Sequence, residues 1–497
     1  MPAVSVRVGD IVSRLLPRGS GLDDQEPGAA WDIDRTPWAA CPSWPPDLFA
    51  VAASLVKRSD AYSAFVQSPW SGTLFTPQYR EEVVRLGAQW RKDLQPPAAV
   101  EHMWEELVDS FPVPLGPLHA VDSEPGPLPA RHWARLALRL MAVADEAAIG
   151  IGLTYAQVSP FSELVTAESQ AALKKTKEVE RVLRQIPSSV CWRVPQEECC
   201  VLPKTRTPQV GITLAALSHN LALLPSVTEV WPRWLMNPVN RSLPQRGSLA
   251  FNLLLVPYPY RVEAQCFRER EPATDGAQFF RLSQRWLRPP ATPARLAAFV
   301  ESLVDVAEAD GAAVNGVILP ELALDPPSFT ALERTLARRG VQFLIGGVLH
   351  QGEGESPVNQ VRTSVFSEGR RHLPISQAKH HRWRLDASQI DRYGLAHVLG
   401  TGCDWWEDVD VTRRSCSFFQ ISNGACLAAV VCEDLARVEP VHTVLRAVGP
   451  NLVVALLMDG PQLASRWSSR YATVLAEDPG SAVLTLTCLG MIRRSQR

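Results

Sequence analysis

The sequence predicts an α/β domain preceded by a mainly helical region, and three observations predict it. From about residue 205 onward, short apolar runs of strand length alternate with amphipathic stretches of helix length. Between residues 79 and 148, apolar residues recur at intervals of three and four, the period of a helix. The opening residues 1–60 fit neither pattern and are rich in Pro, Gly and Trp.

Within residues 1–60, the stretch PRGSGLDDQEPGAAWDIDRTPWAACPSWPP (17–46) is expected to wrap a surface or to be partly mobile. The start of the chain, MPAVSVRVGDIVSRLL, lacks the long apolar stretch and small-residue cleavage site of a secretory signal. Residues 61–204 form the helical domain, with helices expected at 79–94, 98–110 and 130–148 and no internal repeat. A further helix is expected at about 162–185, where KKTKEVERVLRQ reads as a solvated face. The α/β domain, residues 205–497, opens with VGITLAALSHNLALL (210–224), a strand continuing into a helix. Strands are expected at 249–259, 314–321, 341–349, 361–367, 426–432, 451–458 and 482–488. Of these, VRTSVFS (361–367) alternates as an antiparallel strand does. Helices are expected at 294–310, 329–339, 440–448 and 464–476.

Composition excludes several classes. The chain has 497 residues, 46% apolar and 21% charged, enough for two or more cores of a soluble globular protein. A net charge of −2 leaves no dominant footprint for nucleic acid. The longest apolar runs, such as LVVALLM (452–458), are too short to cross a bilayer. The ten cysteines are irregularly spaced, with Cys199 and Cys200 adjacent. Reduced, mostly buried thiols in the cytoplasm are expected. His380 and His381 invite a metal, but no third ligand follows at a suitable interval, so neither metal nor cofactor is expected. The glycines of AEADG and IGGVL form no phosphate loop.

Three segments carry candidate chemistry. Cys432 ends the apolar run CLAAVVC, which places its sulfur at the carboxyl edge of a sheet, where open α/β folds gather ligands. The plain alternative is a buried structural cysteine. The neighbouring Glu433 and Asp434 argue for a cleft edge, because burying both charges is costly. They would also raise the thiol's pKa unless a cation offset them. Lys379, in QAKHHRWRL after the hairpin signal SEGRR, is that cation or else a surface lysine. It could stabilise a thiolate and donate to an oxyanion, with the backbone N–H of Glu433 as second donor. Glu321, in ILPEL, follows a strand and a proline that fixes the backbone. It suits a general base, or more simply a helix-capping acid ahead of Pro326 and Ser328. His442 reads as a local hydrogen-bonding residue rather than a partner of Cys432.

These three segments, in this order, resemble the nitrilase superfamily of carbon–nitrogen hydrolases over about residues 205–497. LPEL resembles the family's glutamate motif, and VVCEDLAR its nucleophile motif in the CED form of glutaminase-type members. VGPN stands where the family often has GAN. Trp467 and Arg470 lie on the helix where the family often has Trp and Arg, and SAVLTLTCLG resembles the strand and loop that follow. The resemblance implies a four-layer αββα sandwich and a Glu321–Lys379–Cys432 triad. It implies that an amide or carbamoyl carbon–nitrogen bond is cleaved through a thioester, without cofactor. Two departures stand out. Many members carry a second glutamate that orients the lysine; here the matching register, in RLDASQIDRYGL, offers Gln389, with Asp391 the nearest acid. The family often continues into a tail that crosses to a partner subunit, whereas this chain ends soon after Gly490.

A small amide-like substrate is the expected partner. The apolar content of 440–448 and 464–476 suggests a homo-oligomer. The helical domain could recruit a protein, with Trp31, Trp38, Trp44 and Trp70 as anchors, although core packing is the plainer use of those rings. The alternative function is a catalytically inactive scaffold that binds a partner or small molecule. Some bacterial defence proteins join such domains to unrelated modules in this way.

Overall fold

The computed structural model describes residues 6–17, 40–59, 61–62, 76–116, 128–153, 161, 164, 184–186, 188–205, 207, 215–236, 251–270, 278–351, 356–367, 370–371, 373–422 and 425–495. The chain divides into two compact units. One comprises Met1–Lys175, Gln185–Met236 and Arg446–Gly449; the other Thr176–Arg184, Asn237–Leu445 and Pro450–Arg497. An N-terminal helical region is thus followed by a mixed α/β region with the sheets of an αββα sandwich.

The helical unit holds α1 (Val8–Leu15), α2 (Pro45–Lys57), α3 (Pro77–Asp93), α4 (Ala98–Asp109) and α5 (Leu128–Ala147). Helix α5 packs on α2, α3 and α4. Thr76 caps α3, accepting from the Tyr79 N–H at 3.1 Å, and Pro77 starts it. Helix α2 was not expected in residues 1–60, and residues 18–39 of the stretch expected to wrap a surface lie outside the described residues. PPDLFAVAASLVK is buried on every side, so it lacks the polar stripe by which an amphipathic helix is recognised. Trp44, just ahead of it, is a core residue. Its ring stacks on Trp192 at 3.8 Å and its Nε1 donates to the Val190 carbonyl at 2.6 Å. Trp31, Trp38 and Trp70 lie outside the described residues, as does most of 162–185, whose end at Arg184–Ile186 is a strand. Within 210–224, residues 210–214 lie outside the described residues; a 3-10 turn, Ala215–Leu217, is followed by strand β2 (Leu221–Leu224), paired antiparallel with β1 (Cys200–Pro203). The segment thus ends in a strand where a helix was expected.

In the second unit, one sheet comprises β3 (Leu253–Leu255), β6 (Gly316–Leu324), β7 (Phe343–His350), β8 (Val358–Ser367) and β9 (Ile375–Ala378). β3, β6 and β7 run parallel; β7, β8 and β9 are antiparallel neighbours. Helices α6 (Pro293–Ala309) and α7 (Pro326–Arg338) cover its outer face. Leu296, Val300, Phe329, Leu332 and Leu336 pack there on Val317, Leu319 and Leu344. The second sheet runs β12 (Ser415–Ser422), β13 (Ala425–Val431), β14 (Leu452–Leu457) and β15 (Ala482–Thr487), the last three parallel. It packs against the first sheet, with α9 (Trp467–Glu477) on β15. A third, smaller sheet was not foreseen. It orders β10 (Arg384–Leu385), β11 (Trp405–Glu407), β5 (Phe279–Leu282) and β4 (Phe267–Glu269). No helix among the described residues is long and apolar enough to cross a membrane.

Candidate active site

The site starts from an irregularity in β6. Pro320 has no N–H to donate, and the register with β7 shifts between Leu319 and Leu324. Inside this bulge Leu322 adopts a left-handed φ of 57°, which re-aims Glu321. Gly347 of β7 permits the close approach: a Cβ there would lie 2.4 Å from the Glu321 Cα. Strand β6 therefore continues past Glu321 instead of ending at it. The helix-capping role belongs to Asp325, whose Oδ1 accepts from the Ser328 N–H at 2.9 Å.

Lys379 lies just beyond β9 and is fully buried, as is Glu321 at 1% exposure. Its Nζ donates to Glu321 Oε1 at 2.9 Å and to Glu407 Oε2 at 2.6 Å. Asn359 Nδ2 bridges the same carboxylates, at 2.8 Å from Glu321 Oε1 and 3.0 Å from Glu407 Oε1. The Asn359 carbonyl accepts from the Lys379 N–H at 2.8 Å. Burial disfavours charge on Lys379, but Glu321, Glu407 and Cys432 outweigh it and hold its pKa well above the ordinary value. Burial lifts the Glu321 carboxyl against the pull of Lys379, and Glu407 adds to the lift. Glu321 Oε2 is buried and has no hydrogen-bond partner.

Cys432 follows β13 directly and opens a short turn, Cys432–Leu435. Its φ of 44° is left-handed, a costly backbone for a residue with a side chain. The thiol is 3% exposed. Burial raises its pKa well above normal, Glu321 adds to this, and Lys379 opposes it. Of the turn's two acids, Glu433 adds to the rise of the thiol's pKa, as the sequence suggested, whereas Asp434 is engaged elsewhere. Glu433 pairs with Arg437 at 3.3 Å. Asp434 turns inward, accepting from the His380 N–H at 3.0 and 3.1 Å and meeting His381 Nδ1 at 3.0 Å. Asp434 thereby ties the Cys432 turn to the residues that follow Lys379. Gln377 makes a second tie, its Nε2 donating to the Ala429 carbonyl of β13 at 3.0 Å.

These contacts correct two expectations. Gln389 does not hold the lysine. It sits in a capping box with Asp386 at the start of α8 (Ala387–Arg392), and Asp391 on the same helix is exposed. The acid on Lys379 is Glu407, supplied by the third sheet. No sequence signal marked Glu407: Trp405 and Trp406 are both apolar, and the alternation of buried Trp405, exposed Trp406 and buried Glu407 is visible only in the structure. Asn359 had no signal either. Arg470 reaches the Ser465 carbonyl at 3.3 Å and is exposed; its neighbour Arg466 faces the site instead.

A cavity of about 270 Å³ opens beside Cys432, lined by Trp383, Gln389, Arg392, Glu433, Met458, Asp459, Ser465, Arg466 and Trp467. Asp459, just past β14, organises one wall. It accepts from Tyr393 Oη, from Arg466 Nη2 at 2.5 Å, from the Gly460 N–H at 2.7 Å and from Trp467 Nε1 at 3.1 Å. His380 Nε2 meets the Ser415 carbonyl at 2.9 Å, and His442 Nε2 meets the Leu435 carbonyl. Among the described residues, no group of three or more His, Cys, Asp or Glu is arranged to hold a metal.

No protein-family model matches the sequence, and no curated protein matches it. Among solved structures, the chain is similar to the NitN amidase of Nesterenkonia sp. AN1, at 14% identity and a TM-score of 0.28 over 39% of this chain and 72% of that one. A variant of that amidase, described as from the nitrilase superfamily, gives 13% identity and 0.28 over 39% and 71%. A glutamine-dependent NAD+ synthetase from Acinetobacter baumannii gives 17% identity and 0.24 over 36% and 32%.

Proposed function

We propose that this chain hydrolyses a small linear amide or carbamoyl compound through a thioester on Cys432. The observation that carries the reading is the buried Lys379 ammonium shared by Glu321 and Glu407, with Glu321 Oε2 left without a partner near a neutral thiol. Cys432 Sγ attacks the carbonyl carbon while Glu321 takes the thiol proton. Lys379 Nζ and the Glu433 backbone N–H receive the oxyanion. Collapse expels ammonia or an amine, which leaves with the proton held by Glu321. A water then gives its proton to Glu321 and attacks the thioester, releasing the acid and restoring the thiol. Gln389 in place of a second glutamate was one of several motives for the inactive-scaffold reading, the large appended domain being another, and Glu407 on Lys379 answers the first alone.

Ammonia release from a panel of amides and ureides tests the proposal. Turnover should fall by about 10⁴-fold or more in Cys432→Ala. An electrophilic amide analogue should label Cys432 under native conditions. Labelling confined to another cysteine, or turnover that survives the substitution, rejects the mechanism.

A further inference from the structure

We infer that the substrate carries a carboxylate at the end remote from its amide, held by Arg392 and Arg466 in the cavity beside Cys432; this rests on the amide-hydrolysis reading. The cavity's apolar walls, Trp383, Met458 and Trp467, suit a short carbon chain leading away from the thiol. Its polar groups are unequally committed. The Asp459 carboxylate already accepts from four donors, so it has little left for a substrate cation. Glu433 is paired with Arg437. The cations retain capacity. Arg466 gives Nη2 to Asp459, and its side chain remains 19% exposed on the cavity wall. Arg392 is exposed at the cavity and makes no ion pair among the described residues.

A neutral tail would offer no counter-charge to the Arg392 guanidinium, and an ammonium would meet two guanidinium groups. A carboxylate satisfies both cations, with the planar geometry that guanidinium matches best. Gln389 adds to this bias: its Oε1 is engaged by the Asp386 N–H, so what it has left to offer is its NH2.

The test compares four amides of similar length on the full chain: butyramide, succinamate, 3-aminopropanamide and 3-phosphonopropanamide. Succinamate should exceed butyramide in kcat/KM by about 10-fold or more, equivalent to ~1.4 kcal/mol, with the ammonium amide poorest. In Arg392→Glu the ratio of succinamate to the ammonium amide should collapse by about 100-fold. Calorimetry on Cys432→Ala gives a readout independent of turnover: succinamate should bind more tightly than butyramide, and Arg392→Glu should abolish the difference. Equal kcat/KM for butyramide and succinamate, or equal binding, overturns the anion site while leaving amide hydrolysis intact. A phosphonate preferred over succinamate overturns the carboxylate assignment. Failure of all four amides, with succinamate still bound selectively, sinks hydrolysis of this class and with it the substrate reading.

Discussion

Asp47 in the helical unit and Glu321 in the α/β unit are both buried carboxylates, 0% and 1% exposed, yet they are satisfied in opposite ways. Asp47 accepts from the backbone N–H groups of Trp192, Arg193 and Val194 at 3.0–3.3 Å. Asp145 does the same for His219, Asn220 and Leu221 at 2.7–3.0 Å. These acids staple loops to helices and use their oxygens in doing so. Glu321 instead shares a buried ammonium with Glu407 and keeps one oxygen free. Burial alone therefore does not mark a reacting acid. A buried acid with a cation partner and an unused lone pair is the one equipped to move a proton.

The largest effect should come from removing that lone pair's basicity. Glu321→Gln should lower kcat by about 10³-fold, the upper part of the range for a positioned general base. Asp47→Asn, in an equally buried site, should leave kcat unchanged. Steady-state ammonia release from both folded variants checks this. Comparable losses would erase the distinction between staple and base. Lys379→Met tests the same contrast through stability. It leaves Glu321 and Glu407 buried without their ammonium, and should cost about 3–5 kcal/mol in urea denaturation. Adding Glu407→Gln should recover part of that loss, since one of the two stranded charges is then gone. A Lys379→Met protein as stable as the parent would mean that the carboxylates do not depend on the lysine.

A smaller effect concerns pH. In the proposed mechanism Glu321 must be ionised to accept the thiol proton, and its carboxyl is raised above the ordinary range by burial and by Glu407. The acid limb of kcat/KM should accordingly lie above the ordinary glutamate value of about 4.3, with activity lost as pH falls through it. Removing a neighbouring negative charge favours ionisation, so Glu407→Gln should move the limb to lower pH. A limb that moves upward instead would assign it to another group.

Much of the α/β unit was legible because its strands are buried on both faces and read as unbroken apolar runs. CLAAVVC gave Cys432 its place at a strand end, VNGVILPEL marked the strand that carries Glu321 although that strand runs on past it, and the hairpin signal SEGRR placed Lys379 after a strand. Glu407 was not legible in the same way. It lies on the three-residue strand Trp405–Glu407, whose neighbours in the sheet are distant in sequence, so no local run announces it. Gln389 follows from a family-like register in RLDASQIDRYGL, but the lysine's partner is set by which strand lies against it in space. Helix α2 was missed for the opposite reason: full burial erases the periodic contrast on which recognition depends. The bulge at Glu321 is likewise a matter of two chains in register, with Gly347 opposite Pro320, and neither residue alone predicts it.

The smallest effect probes Asp47 itself. Burial pushes its carboxyl up to about 6, against the N–H groups of Arg193, Val194 and Trp192, which pull it down. An aspartate in the unfolded chain titrates near 3.9. Between about 4 and about 6, the folded state then holds a proton that the unfolded state has released, so stability falls as pH rises through this window. The slope cannot exceed about 1.4 kcal/mol per pH unit for one group. Other carboxylates titrate over the same range, so the measured quantity is the difference between the parent and Asp47→Asn, followed by urea denaturation at successive pH values. The parent should lose stability relative to the variant from pH 4 to pH 6 and run parallel to it above. A relative gain over that window would mean that the three N–H donors outweigh burial. The staple would then be a fully ionised carboxylate, held by hydrogen bonds as firmly as Glu321 is held by Lys379.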